Sequence, residues 1–238
     1  FIPAVAGDHL LKEVNNINLF LEKSKKPNMA IIGGSKISTK IHLLNNLIKK
    51  FSTIVIGGAM ANTFLLANKK NVGKSLVEKY LVEEAINIQT KAKKFNCKLI
   101  LPVDVVCGKN IEDKNPVTKR IDKISSDSMI LDIGEITTKI INDEIKISKT
   151  ILWNGPVGVF EYKPYDKATS EIAKMIKLNA KKLNINTLAG GGDTISAIKN
   201  ANAEDGFMYI SNSGGAFLEW LEGNESPGII ALKENILT

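Results

Sequence analysis

Short apolar runs that end in glycine alternate with amphipathic stretches along the chain, and this alternation limits the possible folds more than any other feature. The runs are nearly continuous in apolar character, as in strands that are buried on both faces of a sheet. They lie at Met29–Ile32, Thr53–Ile56, Lys98–Leu101, Met129–Leu131, Thr150–Trp153, Thr187–Ala189 and Phe207–Ile210. The intervening stretches predict helices at Lys36–Lys50, Val77–Phe95, Glu135–Ile147, Asp166–Lys181 and Gly215–Leu221. The sequence therefore predicts an α/β fold with a doubly wound parallel sheet, in a Rossmann-like three-layer αβα arrangement.

Two regions depart from the alternation. Residues 8–24 carry lysines and glutamates on an apolar background and predict a helix ahead of the first strand, which Pro27 terminates. Residues 108–128 are polar and rich in turn-forming residues, including Pro116, and are interpreted as an excursion from the sheet. The chain therefore predicts one large α/β domain with a leading helix at its edge.

Basic charge is spread over the whole chain. There are 32 lysine and arginine residues against 25 acidic residues, which gives a formal net charge of +7. Arg120 is the only arginine, and the lysines form scattered pairs, whereas nucleic-acid binding favours a dense, arginine-rich stripe. We therefore expect no nucleic-acid partner. No apolar run is long enough to span a membrane, so we expect no membrane partner either. Cys97 and Cys107 are interpreted as free thiols of a cytoplasmic protein.

Glycine-rich turns follow most of the predicted strands. They are Gly33-Gly34-Ser35-Lys36, Gly57-Gly58-Ala59, Gly134-Glu135, Asn154-Gly155-Pro156-Val157-Gly158, Gly190-Gly191-Gly192-Asp193-Thr194 and Ser211-Asn212-Ser213-Gly214-Gly215. In a parallel sheet these turns share one edge, where ligands of open α/β sheets bind. Glycine serves ordinary turns, but it also lets backbone N–H groups approach a ligand, and a helix that begins there attracts phosphate. The repetition favours a phosphate site at this edge.

Charged residues next to these turns sharpen the interpretation. Lys36 and Lys40 are predicted to share one face of the first helix, near its amino end, where the helix dipole disfavours positive charge. A bound polyphosphate would remove that conflict, although two solvated lysines are the alternative. Asp193 follows the triple glycine at another helix start, and either a capping acid or a Mg²⁺ ligand fits this position.

Familiar nucleotide fingerprints are missing. Gly73-Lys74-Ser75 resembles the end of a phosphate-binding P-loop, but Asn68 stands where its leading glycine belongs. The chain has no G-x-G-x-x-G sequence, which argues against a dehydrogenase that binds a dinucleotide, and it has no protein-kinase signature.

A series of motifs in fixed order nevertheless resembles one known family. The motifs are Gly33-Gly34-Ser35-Lys36 with Lys40, Ile56 to Phe64, Leu101-Pro102-Val103-Asp104, Trp153 to Glu161, and Gly190 to Thr194. Together they resemble the carboxyl-terminal, nucleotide-binding half of phosphoglycerate kinase over nearly the whole chain.

The resemblance implies an activity and a domain organisation. The family is a phosphotransferase with a carboxyl group as acceptor, and it moves a phosphoryl group reversibly between 1,3-bisphosphoglycerate and ADP to give 3-phosphoglycerate and ATP. Residues 1–24 would be the end of the amino-terminal domain and the interdomain helix, and residues 25–238 the nucleotide-binding domain. The phosphoglycerate would bind to the other domain, so we expect this chain alone, a monomer, to bind adenine nucleotide and to transfer essentially no phosphoryl.

The resemblance also implies residue roles. Lys36, Gly192 and Gly215 would be catalytic and would steady the phosphoryl group during its transfer. The nucleotide would be bound by Gly33, Gly34, Ser35, Lys40, Gly57, Gly58, Leu131, Asn154, Pro156, Val159, Glu161, Gly190, Gly191, Gly192, Asp193, Thr194 and Gly214. Within this set, Lys40 would contact the phosphates, Glu161 the ribose, and Asp193 the Mg²⁺ that accompanies ATP or ADP. Ser35, Ala59, Asn212 and Ser213 depart from the family pattern.

Other functions remain open at this point. A non-catalytic module that binds adenine nucleotide would carry the same turns, and the basic charge alone suggests a nucleic-acid binder. Salt-sensitive duplex binding that magnesium–ATP leaves undisturbed would favour the latter.

Overall fold

A computed structural model describes residues 16, 17, 19, 20, 22–212 and 214–223. The chain forms nine strands within these residues, namely β1 (Asn28–Ile32), β2 (Thr53–Ile56), β3 (Lys98–Ile100), β4 (Asp104–Gly108), β5 (Val117–Arg120), β6 (Met129–Ile133), β7 (Thr150–Asn154), β8 (Asn186–Gly190) and β9 (Tyr209–Ser211). Six of them build a parallel sheet in the order β3-β2-β1-β7-β8-β9. The predicted parallel sheet is therefore confirmed.

Helices cover both faces of this sheet. They are α1 (Ile41–Lys50), α2 (Met60–Ala67), α3 (Val82–Lys94), α4 (Glu135–Ile147), α5 (Lys167–Ala180), α6 (Gly192–Asn200) and α7 (Gly214–Glu222), with short 3₁₀ turns at Lys79–Leu81 and Glu204–Gly206. Alternate residues of β1 point to opposite faces, as a strand requires. Ala30 and Ile32 join a core with α1, α2, α3 and α7, while Met29 and Ile31 join one with α4, α5 and α6. The three-layer αβα prediction is confirmed.

The leading helix predicted over residues 8–24 is only partly described. Ile17 and Phe20 are helical and buried against the core that contains α1. Residues 8–15 lie outside the described residues. None of the described helices is long and apolar enough to cross a membrane.

One predicted strand belongs to a different sheet. Met129–Leu131 was expected in the parallel sheet, but β6 pairs antiparallel with β4, which pairs antiparallel with β5. The excursion predicted at residues 108–128 thus contributes strand β5 to this second sheet. Met129 and Ile130 are only half-buried, so their apolar character did not reflect burial on both faces. As a result, Gly134 does not lie at the edge of the parallel sheet, and its place in the predicted phosphate edge was wrong.

The helix predicted at Lys36–Lys50 begins later, at Ile41. Residues 33–40 form a loop, which we call the lysine loop. The buried side chain of Ile37 and a hydrogen bond of 2.8 Å from Lys40 N to Ile37 O fold this loop into a turn. Helix α2 was missed because it is apolar nearly all round and has no amphipathic period.

Asp104, in the motif Leu101-Pro102-Val103-Asp104, is a structural residue. Its buried carboxylate accepts hydrogen bonds from Ile136 N at 3.0 Å and from the N and Oγ1 of Thr137 at 2.8 and 2.6 Å. These groups lie in the first turn of α4, whose own N-cap is Gly134 and offers no side chain. A Cβ on Gly134 would lie 2.2 Å from Asp104 Oδ2, so this glycine makes room for the capping carboxylate. Asp104 therefore caps α4 from a neighbouring strand.

Replacing Asp104 tests this capping role. Asp104→Ala should lower the free energy of unfolding by about 2 kcal/mol, because buried amide and hydroxyl donors lose their acceptor. Urea denaturation measures the change. The control is Asp143→Ala, which removes an exposed carboxylate of the same helix that pairs with Lys146 and should change stability by less than about 0.5 kcal/mol. Equal stability of the two variants would contradict the capping role.

Candidate functional site

The turns after β1 and β7 touch through their backbones at the carboxyl edge of the parallel sheet. Gly33 N donates to Asn154 O at 2.9 Å. A Cβ on Gly33 would lie 1.9 Å from Pro156 O, and one on Gly155 would lie 2.2 Å from Gly33 O. No residue with a side chain fits at either position, so packing between the turns requires these two glycines.

The turn after β2 joins the same contact. Gly58 N donates to Val157 O at 2.8 Å, and a Cβ on Gly58, whose φ is +66°, would lie 2.5 Å from Gly34 O. A Cβ on Gly57 would lie 2.7 Å from the Val157 side chain. Much of the glycine content that sequence reasoning assigned to ligand approach therefore serves close packing of three turns.

The turn after β8 is different, because it leaves space. Gly191 has a φ of +98° and directly precedes α6. A Cβ on Gly192, the first residue of α6, would meet no atom within 4 Å. Asp193 follows it and is exposed. The amino end of α6 is thus open, and its free N–H groups and positive dipole end favour an anion there.

Asn154 and Thr194 lock these turns together. Asn154 Nδ2 donates to Gly190 O at 2.7 Å, and Asn154 Oδ1 accepts a hydrogen bond from Lys40 Nζ. Gly155 N donates to Thr194 Oγ1 at 2.7 Å. Both side chains are buried, so these contacts fix the rim that surrounds the open end of α6.

The two lysines of the lysine loop have different surroundings. Lys40 is half-buried, and burial lowers the pKa of its ammonium group to about 8, although the carboxylates of Glu222 and Asp193 act in the opposite direction. Lys36 is exposed, and no described residue forms a hydrogen bond or ion pair with its ammonium group. The predicted pairing of both lysines on one helix face was wrong, because the helix begins only after Lys40.

A cavity of about 360 Å³ lies beside this rim. Its volume falls in the range of small-molecule sites, and its walls are largely apolar. It brings together eight of the predicted residues, namely Gly34, Ser35, Gly58, Leu131, Pro156, Val159, Glu161 and Asp193. The predicted residues Gly33, Lys36, Lys40, Gly57, Asn154, Gly190, Gly191, Gly192 and Thr194 do not line it. Gly214 and Gly215 are the first two residues of α7.

Sequence reasoning missed one wall of the cavity. All five residues of β6 line it, together with Leu76 and Ile111 from connecting segments. Only Leu131 was named in advance, through the resemblance. Leu76 and Ile111 are large apolar side chains that are 53% and 37% exposed in the structure, and the sequence pattern does not mark them as part of a site. Their contribution depends on the small antiparallel sheet, which the strand pattern did not predict.

Asp132 is the ionisable group of that wall. Its buried carboxyl accepts hydrogen bonds from Ile133 N at 2.9 Å and Ala168 N at 3.0 Å. Burial, which these two bonds only partly offset, raises the pKa of Asp132 to about 8. A Cβ on Gly158 would lie 2.1 Å from Asp132 Oδ1, so the turn after β7 packs directly on this carboxyl group.

The acidic residues limit how a metal ion could bind. Among the described residues, no group of three or more His, Cys, Asp or Glu side chains could hold a metal ion. Asp193 is a single exposed carboxylate beside the cavity. Mg²⁺ that is held mainly by nucleotide phosphates needs only one or two carboxylates from the protein. Asp193 fits that kind of site.

Comparison with known proteins gives one family. Residues 1–224 match the family model for phosphoglycerate kinase. The phosphoglycerate kinase of Brucella abortus is 44% identical over 234 residues, which cover 98% of this chain and 59% of that protein. That of Rhodopseudomonas palustris is 46% identical over 233 residues, covering 98% and 58%.

Solved structures agree with this result. The structure of phosphoglycerate kinase from Coxiella burnetii matches with a TM-score of 0.89 and 39% identity, and covers 95% of this chain and 58% of that one. The phosphoglycerate kinase from Pyrococcus horikoshii matches with a TM-score of 0.82 at 24% identity, over 99% of this chain and 58% of that one, and supports the fold alone. The chain thus spans less than two thirds of the length of these relatives.

The pKa of Asp132 predicts how stability changes with pH. Folding raises this pKa from 3.8 to about 8, so the folded protein holds a proton that the unfolded chain releases between these values. This contribution to stability is fully present below pH 3.8 and is lost as the pH rises through about 8. Relative to Asp132→Asn, the wild type should lose roughly 1 kcal/mol of unfolding free energy per pH unit between about pH 5 and 8.

Chemical denaturation at several pH values measures this slope. Asp122→Asn, which neutralises an exposed carboxylate, is the matched control and should keep the wild-type slope. The same slope in Asp132→Asn as in the wild type would show that Asp132 is ionised throughout this range.

Proposed function

Since the chain belongs to the phosphoglycerate kinase family, we propose that it forms the nucleotide-binding domain of such an enzyme and holds ATP or ADP with Mg²⁺. The observation that carries the proposal is a largely apolar cavity that reaches from Glu161 to Asp193 at the open end of α6. An apolar cavity suits a purine base, and a free helix start suits phosphates.

The nucleotide then has one orientation. Its base lies between Pro156, Val159 and the wall formed by β6, and its ribose hydroxyls donate to Glu161. Its phosphates extend towards Asp193, Gly192 and Lys40. Gly34, Ser35 and Gly58 form the floor of this site, and Gly33 and Gly57 allow the turns below it to pack closely. Gly190, Gly191, Asn154 and Thr194 hold the phosphate end in shape. Asp193 ligates Mg²⁺, which neutralises phosphate charge when it is bound.

In the complete enzyme we propose reversible phosphoryl transfer between 1,3-bisphosphoglycerate and ADP. Such transfer needs positioning and neutralisation of spread negative charge, with little covalent work by the protein. The free ammonium group of Lys36 and the amide groups of Gly192 and Gly215 supply that neutralisation. Gly214 and Gly215 begin α7, so their N–H groups belong to a second helix start.

The domain organisation follows from the same family. We propose that residues 1–24 are the end of an amino-terminal domain and the interdomain helix, and that residues 25–238 are the nucleotide-binding domain. The chain spans 59% of the Brucella abortus relative, which supports a further domain for the phosphoglycerate in the complete enzyme. The chain alone is then expected to bind nucleotide as a monomer without turnover. The two buried free cysteines support a cytoplasmic location.

Gly192 provides the direct test of where the phosphates bind. Gly192→Ala adds a methyl group to open space at the first position of α6, so the melting temperature should stay the same or rise. The methyl group would occupy phosphate space, and the affinity for magnesium–ADP should fall about tenfold or more. Calorimetric titration and thermal denaturation measure the two effects.

The control is Ser196→Ala on the exposed part of the same helix, which should keep the wild-type affinity. A wild-type chain that does not bind magnesium–ADP at millimolar concentration would refute the nucleotide proposal. Wild-type affinity in Gly192→Ala would refute only the placement of the phosphates at α6.

The lowered pKa of Lys40 predicts a pH dependence of binding. A phosphate group stabilises the ammonium form, so binding near pH 8 should be accompanied by proton uptake. The affinity for magnesium–ADP should be full below the free pKa of about 8 and should fall as the pH rises above it. Lys40→Arg should remove this dependence, because arginine stays charged throughout the range.

Calorimetry in buffers with different ionisation enthalpies counts the protons taken up. Proton uptake that is unchanged in Lys40→Arg would assign the titration to another group.

A further inference from the structure

A buried carboxylate holds the middle of the lysine loop. Glu78 Oε2 accepts a hydrogen bond from Ser38 N at 3.0 Å, and Glu78 Oε1 accepts one from Ser38 Oγ at 2.6 Å. Tyr80 OH donates a third to Oε1 at 2.9 Å. Only 8% of Glu78 is exposed. Burial alone would raise the pKa of Glu78, but the hydrogen bonds from Ser38 and Tyr80 outweigh it and lower this pKa below its ordinary value.

Glu78 is itself attached to the wall of the cavity. Its backbone N donates to Thr63 Oγ1 of α2 at 3.2 Å. Two residues earlier, Leu76 O accepts a hydrogen bond of 2.9 Å from Asn62 Nδ2, and both residues line the cavity. The Glu78 carboxylate therefore extends from a segment that hydrogen bonds attach to α2, on the side of the cavity where we place the base.

The hydrogen bonds between Ser38 and Glu78 restrain the middle of the lysine loop. Ser38 lies midway between Lys36 and Lys40 in the lysine loop. Near the start of this loop, Gly34 has a φ of +133°, a conformation that glycine adopts readily because it has no Cβ. Thr39 Oγ1 donates to Lys36 O at 2.9 Å, and Lys40 N donates to Ile37 O at 2.8 Å. A restraint on Ser38 is therefore passed to both lysines through one short turn.

We propose that Glu78 is a positioning residue for the phosphate end of the nucleotide, because it holds the lysine loop in place before the nucleotide arrives. This inference rests on the proposed nucleotide site. A flexible loop would have to be ordered during binding, and that entropic cost would reduce affinity. Glu78 lowers the cost without contact to the ligand, since its carboxylate oxygens are already used by Ser38 and Tyr80.

An effect of the Glu78 charge and an effect of loop positioning predict opposite changes in nucleotide affinity when the carboxylate is removed. If the carboxylate acted only through its negative charge, its loss would strengthen the binding of an anion. If it positions the loop, its loss weakens that binding. Comparing the affinities for a ligand with phosphates and a ligand without them then separates a loss of loop positioning from general damage to the fold.

The experiment titrates Glu78→Ala with magnesium–ADP by calorimetry and with adenosine by NMR. We expect the affinity for magnesium–ADP to fall about tenfold and the affinity for adenosine to stay within about twofold of the wild type. Ser38→Ala should reduce magnesium–ADP affinity in the same direction, and the double variant should lose less than the sum of the two. The matched control is Glu83→Ala, which removes an exposed carboxylate at the start of α3 and should not weaken binding.

Two results would overturn the inference. One is unchanged or tighter binding of magnesium–ADP by Glu78→Ala, and the other is an equal loss for both ligands, which would show general damage. Ser38→Ala decides the question if Glu78→Ala does not fold. If the wild-type chain binds adenosine but not magnesium–ADP, or neither ligand, the proposed nucleotide site fails first and this inference fails with it.

Discussion

The backbone contact between the turns after β1 and β7 is the constraint on which the whole rim depends. Gly33 and Gly155 meet so closely that a Cβ on either would lie 1.9 or 2.2 Å from a carbonyl oxygen. This approach places Asn154 between Lys40 and Gly190, and so joins the lysine loop to the turn before α6. The glycines of this contact first serve packing. Access for a ligand then depends on Gly192, where packing leaves open space.

The parallel sheet could be predicted because strands that are buried on both faces are apolar at every residue, and such runs are visible in the sequence. The same signal misplaced Met129–Leu131, which is apolar because it forms a cavity wall and which pairs in the small antiparallel sheet. Helix α2 lacks an amphipathic period because it is buried nearly all round, so the pattern did not reveal it. The start of α1 was misplaced because the loop geometry at Lys36 depends on the distant side chain of Glu78.

Two buried carboxyl groups near the cavity show how local donors decide ionisation. Glu78 receives three hydrogen bonds from Ser38 and Tyr80, and its pKa is lowered in spite of burial. Asp132 receives two amide hydrogen bonds, and burial raises its pKa to about 8. The first group holds a loop as an anion, while the second lies under the turn after β7 largely in its neutral form at neutral pH. Neither role is visible in the sequence, because Ser38 donates to Glu78 from 40 residues away and Ala168 donates to Asp132 from 36 residues away.

The rim at the ends of the parallel strands and the cavity wall formed by β6 therefore differ in how the sequence specifies them. The rim lies at the ends of parallel strands, so a few adjacent residues in each turn define it and local motifs reveal it. The wall combines β6 with Leu76 and Ile111, which come together only through the second sheet. In the proposed nucleotide site, a rim of amide groups and lysines would contact phosphates, which every nucleotide carries, and so would not distinguish one base from another. Under that proposal, selection among bases comes from the wall, of which the sequence analysis named only Leu131 as a site residue.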